Sequence, residues 1–399
     1  MDGLEKLQEI ANNLTKQASN IENVFQGKVF KQLHNYYDNL KDKPKLSPEE
    51  NEILKDLGIK AFSKDNENKQ KSCFINNECD KIIKAHSIQE NGELSKLMGI
   101  VDGKEQVIQF IENTKTSIKE LKYTDITKAS TFYGFCHKHD QIFEPIDQNT
   151  FSSSEQKHFL YSFRSFAFSY HNVKSLQDYT SNLIEDLSNA ISPIIDSLTS
   201  FDLGGTNELN KTKTPTISNE QQELLKLVRF EKYRSFLIEY EKNKTYTQLE
   251  YLTYEVNHLC PIACSSWLVM HINVDNTFIV NHTDNTPYYG CPVLLSVLPN
   301  QHDKTTIILA RFKHDSESQF IFNELNELRN QSQKFEEEIS KLIFEKTENF
   351  YLQPNFWGYL GEKEKEIIIN GKNSDKTVFP EKRTEFGMIN FFDKKYKLG

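Results

Sequence analysis

Cysteine, tryptophan and methionine are scarce in this chain: six, two and four residues in 399. So few thiols in so long a sequence make no disulfide scaffold, because secreted domains stapled that way are far denser in cysteine. Long apolar runs are also missing. The most apolar window, CPIACSSWLVMHINV (260–274), is too short and too polar for a bilayer-spanning helix, which needs about 20 apolar residues. There is no glycine-rich phosphate loop. DLGGTNELNKTKT (202–214) has the glycines but lacks the G-x4-G-K-S/T spacing and a leading strand, which argues against a nucleotide-driven motor. Nor is there a basic excess. The net charge of −9 speaks against a surface coated for nucleic acid, although a local groove depends on where Lys and Arg lie rather than on their total. The start, MDGLEKLQEIANNL, has acidic residues where a secretory signal would be basic, and no apolar stretch follows it. The expectation is a cytoplasmic protein with reduced thiols available to a metal, and no membrane partner.

What the chain has in quantity is phenylalanine and tyrosine, 28 and 17 residues, within 37% hydrophobic content. That is globular composition, and the length suffices for two or three domains. The expected class is α+β. Residues 1–62 read as a helical N-terminal region, with Leu7, Ile10, Leu14, Ile21 and Val24 forming an apolar stripe that allows self-association. The polar stretch 63–72 is a connector. Within 73–147, KEQVIQFIENTKTSIKELKY (104–123) has helical spacing. A capping box, Ser153 to Gln156, opens a helical segment (150–201) whose aromatic stripe of Phe159, Phe163, Phe166 and Tyr170 reads as core. Residues 202–218 form a linker. The C-terminal domain, 219–399, is expected to start with a helix from Glu220 to about Lys244. The runs LEYLTYEVNHL, SWLVMHINV, TFIVNH, CPVLLSVLP and TTIILARF then predict a mostly antiparallel sheet. One long charged helix over 316–347 and a late strand at KEIIIN complete it.

Two segments hold chemistry. KSCFINNECDKIIKAHSIQ carries Cys73 and Cys79 in a C-x5-C pair, and TFYGFCHKHD carries Cys136 and His139 in a C-x2-H pair. Two such pairs, each presented on a tight turn, can surround Zn²⁺ tetrahedrally. Asn76 and Asn77 lie inside the first pair, and Gly134 precedes the second. Cys260, Cys264 and Cys291 lie in the β-rich half without a convincing partner pair and read as core.

A histidine beside a β-branched residue, in KAHSIQ between the two pairs, resembles HNH (His-Me finger) nucleases. STF-GFC--HD--F-PID after the AHSI step is similar to uncharacterised bacterial proteins. The resemblance covers about 73–147 and implies a ββα, treble-clef-like module braced by structural zinc on Cys73, Cys79, Cys136 and His139. It further implies His86 as general base and Asp140 as ligand of a catalytic Mg²⁺ or Mn²⁺. Ser130 or Thr131 stands where the family has its central Asn. The 104–123 helix is then an insertion. Residues 73–140 contain nine Lys, no Arg and ten acids, so cations for a phosphate must come from elsewhere, such as Lys157 and Arg164. The implied function is an endonuclease acting on DNA or RNA, in a chain that would suit a defence effector against phage. The remaining half would bind a protein partner or a ligand.

Two other readings stand beside it. In one, the metal module only fixes the fold of a binding or scaffold protein that acts through its helices and C-terminal domain, and His86 is a satisfied core histidine. In the other, a hydrolase is centred on His271, His282, His302 and His314 with Asp284, Asp303 and Asp315. Their spacing matches no defensible constellation, and NHTDN and KHDS read first as polar turns.

Overall fold

A computed structural model describes residues 72–76, 78–79, 81–112, 119–150, 152–175, 219–269, 292–300, 302–315, 317–347, 349–373 and 389–398. The chain divides into two units. The first comprises Met1–Gln70, Glu112–Ile118 and Val173–Arg229, and the second Lys71–Ile111, Lys119–Asn172 and Phe230–Gly399. Of the first unit, the described residues are the ends of two helices and Glu112, the last residue of a strand. The expectations for 1–62, for the helix after 175, for the linker 202–218 and for TFIVNH lie outside the described residues.

Helix and antiparallel sheet are mixed here, as the α+β expectation holds. β1 (Ile82–His86) pairs antiparallel with β5 (Thr131–Cys136), forming a two-stranded ribbon of its own. Eight further strands make one sheet: β2 (Gly99–Val101), β3 (Lys104–Glu112), β4 (Lys119–Asp125), β6 (Leu249–Val256), β7 (Ile262–Val269), β8 (Pro292–Pro299), β9 (Thr305–Phe312) and β10 (Phe350–Leu352). Their order is β2-β3-β10-β7-β8-β9-β6, with β4 beside β3. The segment 87–130, which interrupts the ribbon, therefore supplies three strands to the sheet built by the C-terminal half.

The sheet is buried on both faces, and the period-2 alternation of strands sorts its side chains. Ile108 and Phe110 of β3, Ile262, Cys264 and Leu268 of β7, Val293, Leu295 and Val297 of β8 and Phe350 and Leu352 of β10 face one core. Helices α5 (Glu317–Leu328), α6 (Ser332–Lys346), α7 (Pro354–Tyr359) and α8 (Glu362–Asn373) close that core through Ile321, Leu325, Phe335, Ile339, Ile343, Phe356 and Ile368. On the opposite face, Val107, Ala263 and Tyr351 join Ile88, Leu94, Leu97, Ile126 and Ala129. There the helix α3 (154–175) packs its aromatic stripe. Phe166 meets Trp267 at 5.3 Å and Phe312 at 6.4 Å between ring centroids, and Phe74 touches Phe163, Phe166 and Tyr170. The expected cap is present, with the Gln156 N–H donating to Ser153 Oγ at 3.1 Å. The Gln156 side chain accepts from Ser152 N–H rather than from the capping residue itself.

Three elements differ from expectation. Residues 104–123 are not a helix but the strands β3 and β4. Val107 and Ile108 are both fully buried, one toward each core. A strand buried on two faces shows contiguous apolar residues, which imitate helical spacing. The charged helix 316–347 is two helices, α5 and α6, separated by a turn at Arg329–Gln331. KEIIIN lies in α8 rather than in a strand. Ile368 is buried on the helix's inner side while Ile369 is exposed, and Glu364 caps the N-terminus by accepting from Gly361 N–H. LEYLTYEVNHL, CPVLLSVLP, TTIILARF and the described part of SWLVMHINV form strands as expected, while 270–274 lie outside the described residues; the helix α4 (Asn219–Asn243) also forms. Among the described residues no helix is long and apolar enough to cross a membrane.

Phe166→Ala removes a fully buried ring from the packing of α3 on the sheet. A loss of about 3–5 kcal/mol is expected, read as a lower denaturant midpoint at unchanged slope.

Candidate metal centre and the adjoining polar cluster

The two cysteine pairs meet. Cys73, Cys79, Cys136 and His139 place one ligand atom each within 4.8 Å of one another, and among the described residues this is the group that could hold a metal ion. His139 Nδ1 lies 3.3, 3.4 and 3.3 Å from the sulfurs of Cys73, Cys79 and Cys136. One nitrogen nearly equidistant from three sulfurs suits one corner of a four-ligand set.

Local sequence explains the arrangement. Asn76 Oδ1 accepts from Glu78 N–H and the Asn76 carbonyl accepts from Cys79 N–H, so the first pair closes on an Asx turn. Phe74 N–H donates to the Gly134 carbonyl at 2.6 Å, which lays Cys73 against β5. Gly134 is required there: a Cβ would stand 2.2 Å from the Phe132 ring. Arg234 of α4 donates to the Phe74 carbonyl at 2.5 Å and covers the Phe74 ring. Cys136 precedes a short helix, α1 (His137–Asp140), which presents His139.

The thiols are chemically crowded. Burial, together with the Cys136 and Cys73 thiols, pushes the Cys79 thiol up to about 12. Burial also acts on Cys136, but the His139 backbone N–H, the Cys79 and Cys73 thiols and the Lys138 backbone N–H together outweigh it and hold that thiol below its ordinary value. Without a cation, three sulfurs this close cannot all be thiolates. A bound ion supplies the charge that lets them deprotonate, and its uptake releases protons.

A second cluster adjoins the ribbon. His86 ends β1 opposite Thr131. Its Nε2 lies 3.2 Å from Glu90 Oε2, whereas Nδ1 is buried with no hydrogen-bond partner. Burial lowers the His86 pKa, and the Glu90 carboxylate opposes that shift. Arg164 of α3, 4% exposed, clamps Asp147 of α2 (Glu144–Asp147) with two bonds of 2.9 Å and lies over the Phe143 ring. Glu93 is buried, accepts from the Tyr161 hydroxyl at 2.7 Å through Oε1 and leaves Oε2 unpaired. Burial raises its pKa despite that bond and the nearby Arg164. Asp140 is half-buried, and burial raises its pKa against the pull of Arg164. The Arg164 charge thus reaches His86, Glu93 and Asp140 together.

The other sequence candidates sort differently. Ser130 and Thr131 are committed to backbone partners, Ser130 Oγ to Ile88 and Thr131 Oγ1 to the Lys128 carbonyl. Arg164 spends its fork on Asp147, so it braces the cluster rather than offering an open phosphate contact. Sequence reasoning missed Glu90, Glu93, Asp147 and Tyr161. The four-residue step from His86 to Glu90 was the one available hint. In the C-terminal half, Asp315 accepts from Tyr233 and His314 packs on Phe236. His302 and Asp303 lie in the β8–β9 turn, with Asp303 at φ 56°. His271, His282 and Asp284 lie outside the described residues. Cys260 and Cys264 are fully buried, as core cysteines should be.

Comparison with protein-family models, with curated proteins and with solved structures finds no match for this chain. What the site can do therefore rests on its own residues.

Cys136→Ser abolishes the bound metal measured by elemental analysis of the purified protein, and a strong chelator lowers the melting temperature of wild type but not of that variant. Because the ligands bind deprotonated, metal affinity in a competition titration falls as pH is lowered. For Glu93, whose neighbours are Arg164, Asp147 and Tyr161, the folded state retains its proton to higher pH than the unfolded chain. Stability is therefore lost as pH rises from the ordinary carboxylate range through the raised folded value. Glu93→Gln removes that slope, which denaturant titrations at pH 5 and pH 8 would show as a smaller difference between the two conditions.

Proposed function

We propose that this protein is a metal-dependent endonuclease of the HNH type, with Zn²⁺ on Cys73, Cys79, Cys136 and His139 as a structural brace. One observation carries the reading. His86 ends a strand whose antiparallel partner runs directly into the helix bearing His139 and Asp140, so a candidate base and a candidate oxygen ligand share one strand–strand–helix unit.

Zinc suits the donor set. Three sulfurs and an imidazole on a tetrahedral ion put S···N edges at roughly 3.5 Å for ordinary Zn–S and Zn–N bonds, close to the separations of 3.3–3.4 Å found here. Mg²⁺ or Mn²⁺ would be held by Asp140, with water and substrate oxygens as the remaining ligands, in keeping with hard ions that bind through one or two carboxylates. When bound, it would neutralise charge on the phosphate. His86 accepts a proton from water as the water oxygen bonds to phosphorus; the ester P–O bond breaks, and the leaving oxygen is protonated by solvent. Arg164 and Asp147 keep α2 and α3 fixed beneath this site.

Purified wild type, with Mg²⁺ or Mn²⁺, is expected to cut at least one of plasmid DNA, single-stranded DNA and RNA. His86→Ala should lose about 100-fold or more while retaining its zinc and its melting temperature. Equal cleavage by both would remove His86 from the mechanism. Silence from wild type on all three substrates would favour a scaffold in which the metal only fixes the fold.

A further inference from the structure

The Cys73–Cys79 loop brings two of the four metal ligands, and Phe74 ties it to the rest of the protein in three ways. The Phe74 N–H donates to the Gly134 carbonyl of β5. Its buried ring meets Phe163, Phe166 and Tyr170 of α3 edge-on. Its carbonyl accepts from Arg234 Nε of α4 at 2.5 Å. Arg234 is itself held. Nη1 donates to Glu231 Oε2 at 3.0 Å, one helical turn back, and the other oxygen of Glu231 accepts from the Tyr170 hydroxyl. The guanidinium lies 5.5 Å from the Phe74 ring centroid and 5.8 Å from that of Tyr170. One flat cation, its side chain 13% exposed, thus joins the loop carrying Cys73 to both helices.

We propose that Arg234 is a positioning residue of the metal centre: it presets the Cys73–Cys79 loop against β5, so that metal retention depends on how α4 packs against α3. The inference rests on the reading of the Cys/His group as a zinc site. Cys136 and His139 are placed by the ribbon and by α1. Cys73 and Cys79 come from a segment 66 and 60 positions before His139, so closing the site means holding that loop. A loop fixed before the ion arrives gives up its conformational freedom on folding rather than on metal binding, and more of the ligand-bond energy then appears as affinity. Groups standing behind the ligands commonly change metal affinity by about 10–100-fold. Arginine suits the task because its planar fork can serve a carbonyl and a carboxylate at once while lying over two rings, which an ammonium group cannot do. The dependence runs both ways: if the α3–α4 contact raises metal affinity, bound metal tightens that contact by the same factor. Metal occupancy is therefore felt on α4, beyond the knuckle that it braces.

The test compares the full-length wild type with Arg234→Met, Arg234→Lys and Tyr170→Phe, and takes Ser235→Ala, exposed on the same helix, as control. Zinc content is measured first, and release of zinc into excess chromophoric chelator is then timed. Arg234→Met keeps an apolar stem beside the two rings and removes every donor. It should release zinc about tenfold faster or more. Arg234→Lys, which keeps one donor for the Phe74 carbonyl, and Tyr170→Phe, which frees Glu231, should fall between it and wild type, and Ser235→Ala should match wild type. Melting temperatures separate positioning from general support: the gap between wild type and Arg234→Met should be wider with zinc bound than without it. Release from Arg234→Met at the wild-type rate, or an equal melting gap with and without zinc, would overturn the proposal and leave the zinc site standing. A wild type that carries no metal would overturn the zinc reading itself, and this inference with it.

Discussion

The junction where β1 and β5 leave their ribbon is the constraint on which the site depends. Two chain segments enter the protein interior at Ser87 and Ser130, and every backbone and hydroxyl group they bring must find a partner there. Ser130 takes a left-handed backbone (φ 56°) that non-glycine residues seldom adopt. It is held by five bonds: its N–H to Tyr351 Oη at 2.6 Å, its hydroxyl to both backbone groups of Ile88, and its carbonyl accepting from both the N–H and the hydroxyl of Ser87. Asn349 donates to Ser87 Oγ at 2.8 Å and to the Ser265 carbonyl. The residue after His86 and the residue before Thr131 are thereby bolted to β10 and β7 of the large sheet.

This bolt makes the small ribbon part of the same solid body as the sheet, and the helix α3 completes it. Ser165 bonds to Ser265 and Ser296, each at 2.9 Å, and Ser169 Oγ accepts from Trp267 N–H. On the far side of the ribbon, the ring of Phe74 joins the metal cluster to the aromatic stripe of α3. The Cys/His group and the large hydrophobic core thus secure opposite ends of β5. A metal ion held by the Cys/His group would fix where α1 begins and hence where His139 and Asp140 stand.

Between those two anchors lies a region of unusual electrostatic cost. A buried arginine is matched by one close carboxylate, Asp147, and by two more within its field, Glu93 and Asp140. Such clusters are poor stabilisers, because desolvation offsets most of the attraction. Among the described residues, three of the seven buried side-chain atoms without a hydrogen-bond partner fall in this region: His86 Nδ1, Glu93 Oε2 and Arg164 Nε.

Much of this was legible in the sequence, for reasons that can be named. β6 to β9 announce themselves through short β-branched runs punctuated by Asn, Asp and Pro. The capping box and aromatic stripe mark α3, and paired cysteines at turn-like spacing mark the metal ligands. In each case the signal is local: a period, a cap or a knuckle. The tertiary structure decided the rest. β3 mimics a helix because both its faces are buried, which no window of sequence reveals. The isoleucines of α8 imitate a strand until their packing partner on α6 is known. Tyr351 and Asn349 act on residues 221 and 262 positions away. Glu90 meets His86 only because a strand ends and a turn begins between them. Periodicity and turn chemistry are properties of neighbours along the chain, whereas pairing of buried polar groups is settled by which surfaces the folded core brings together.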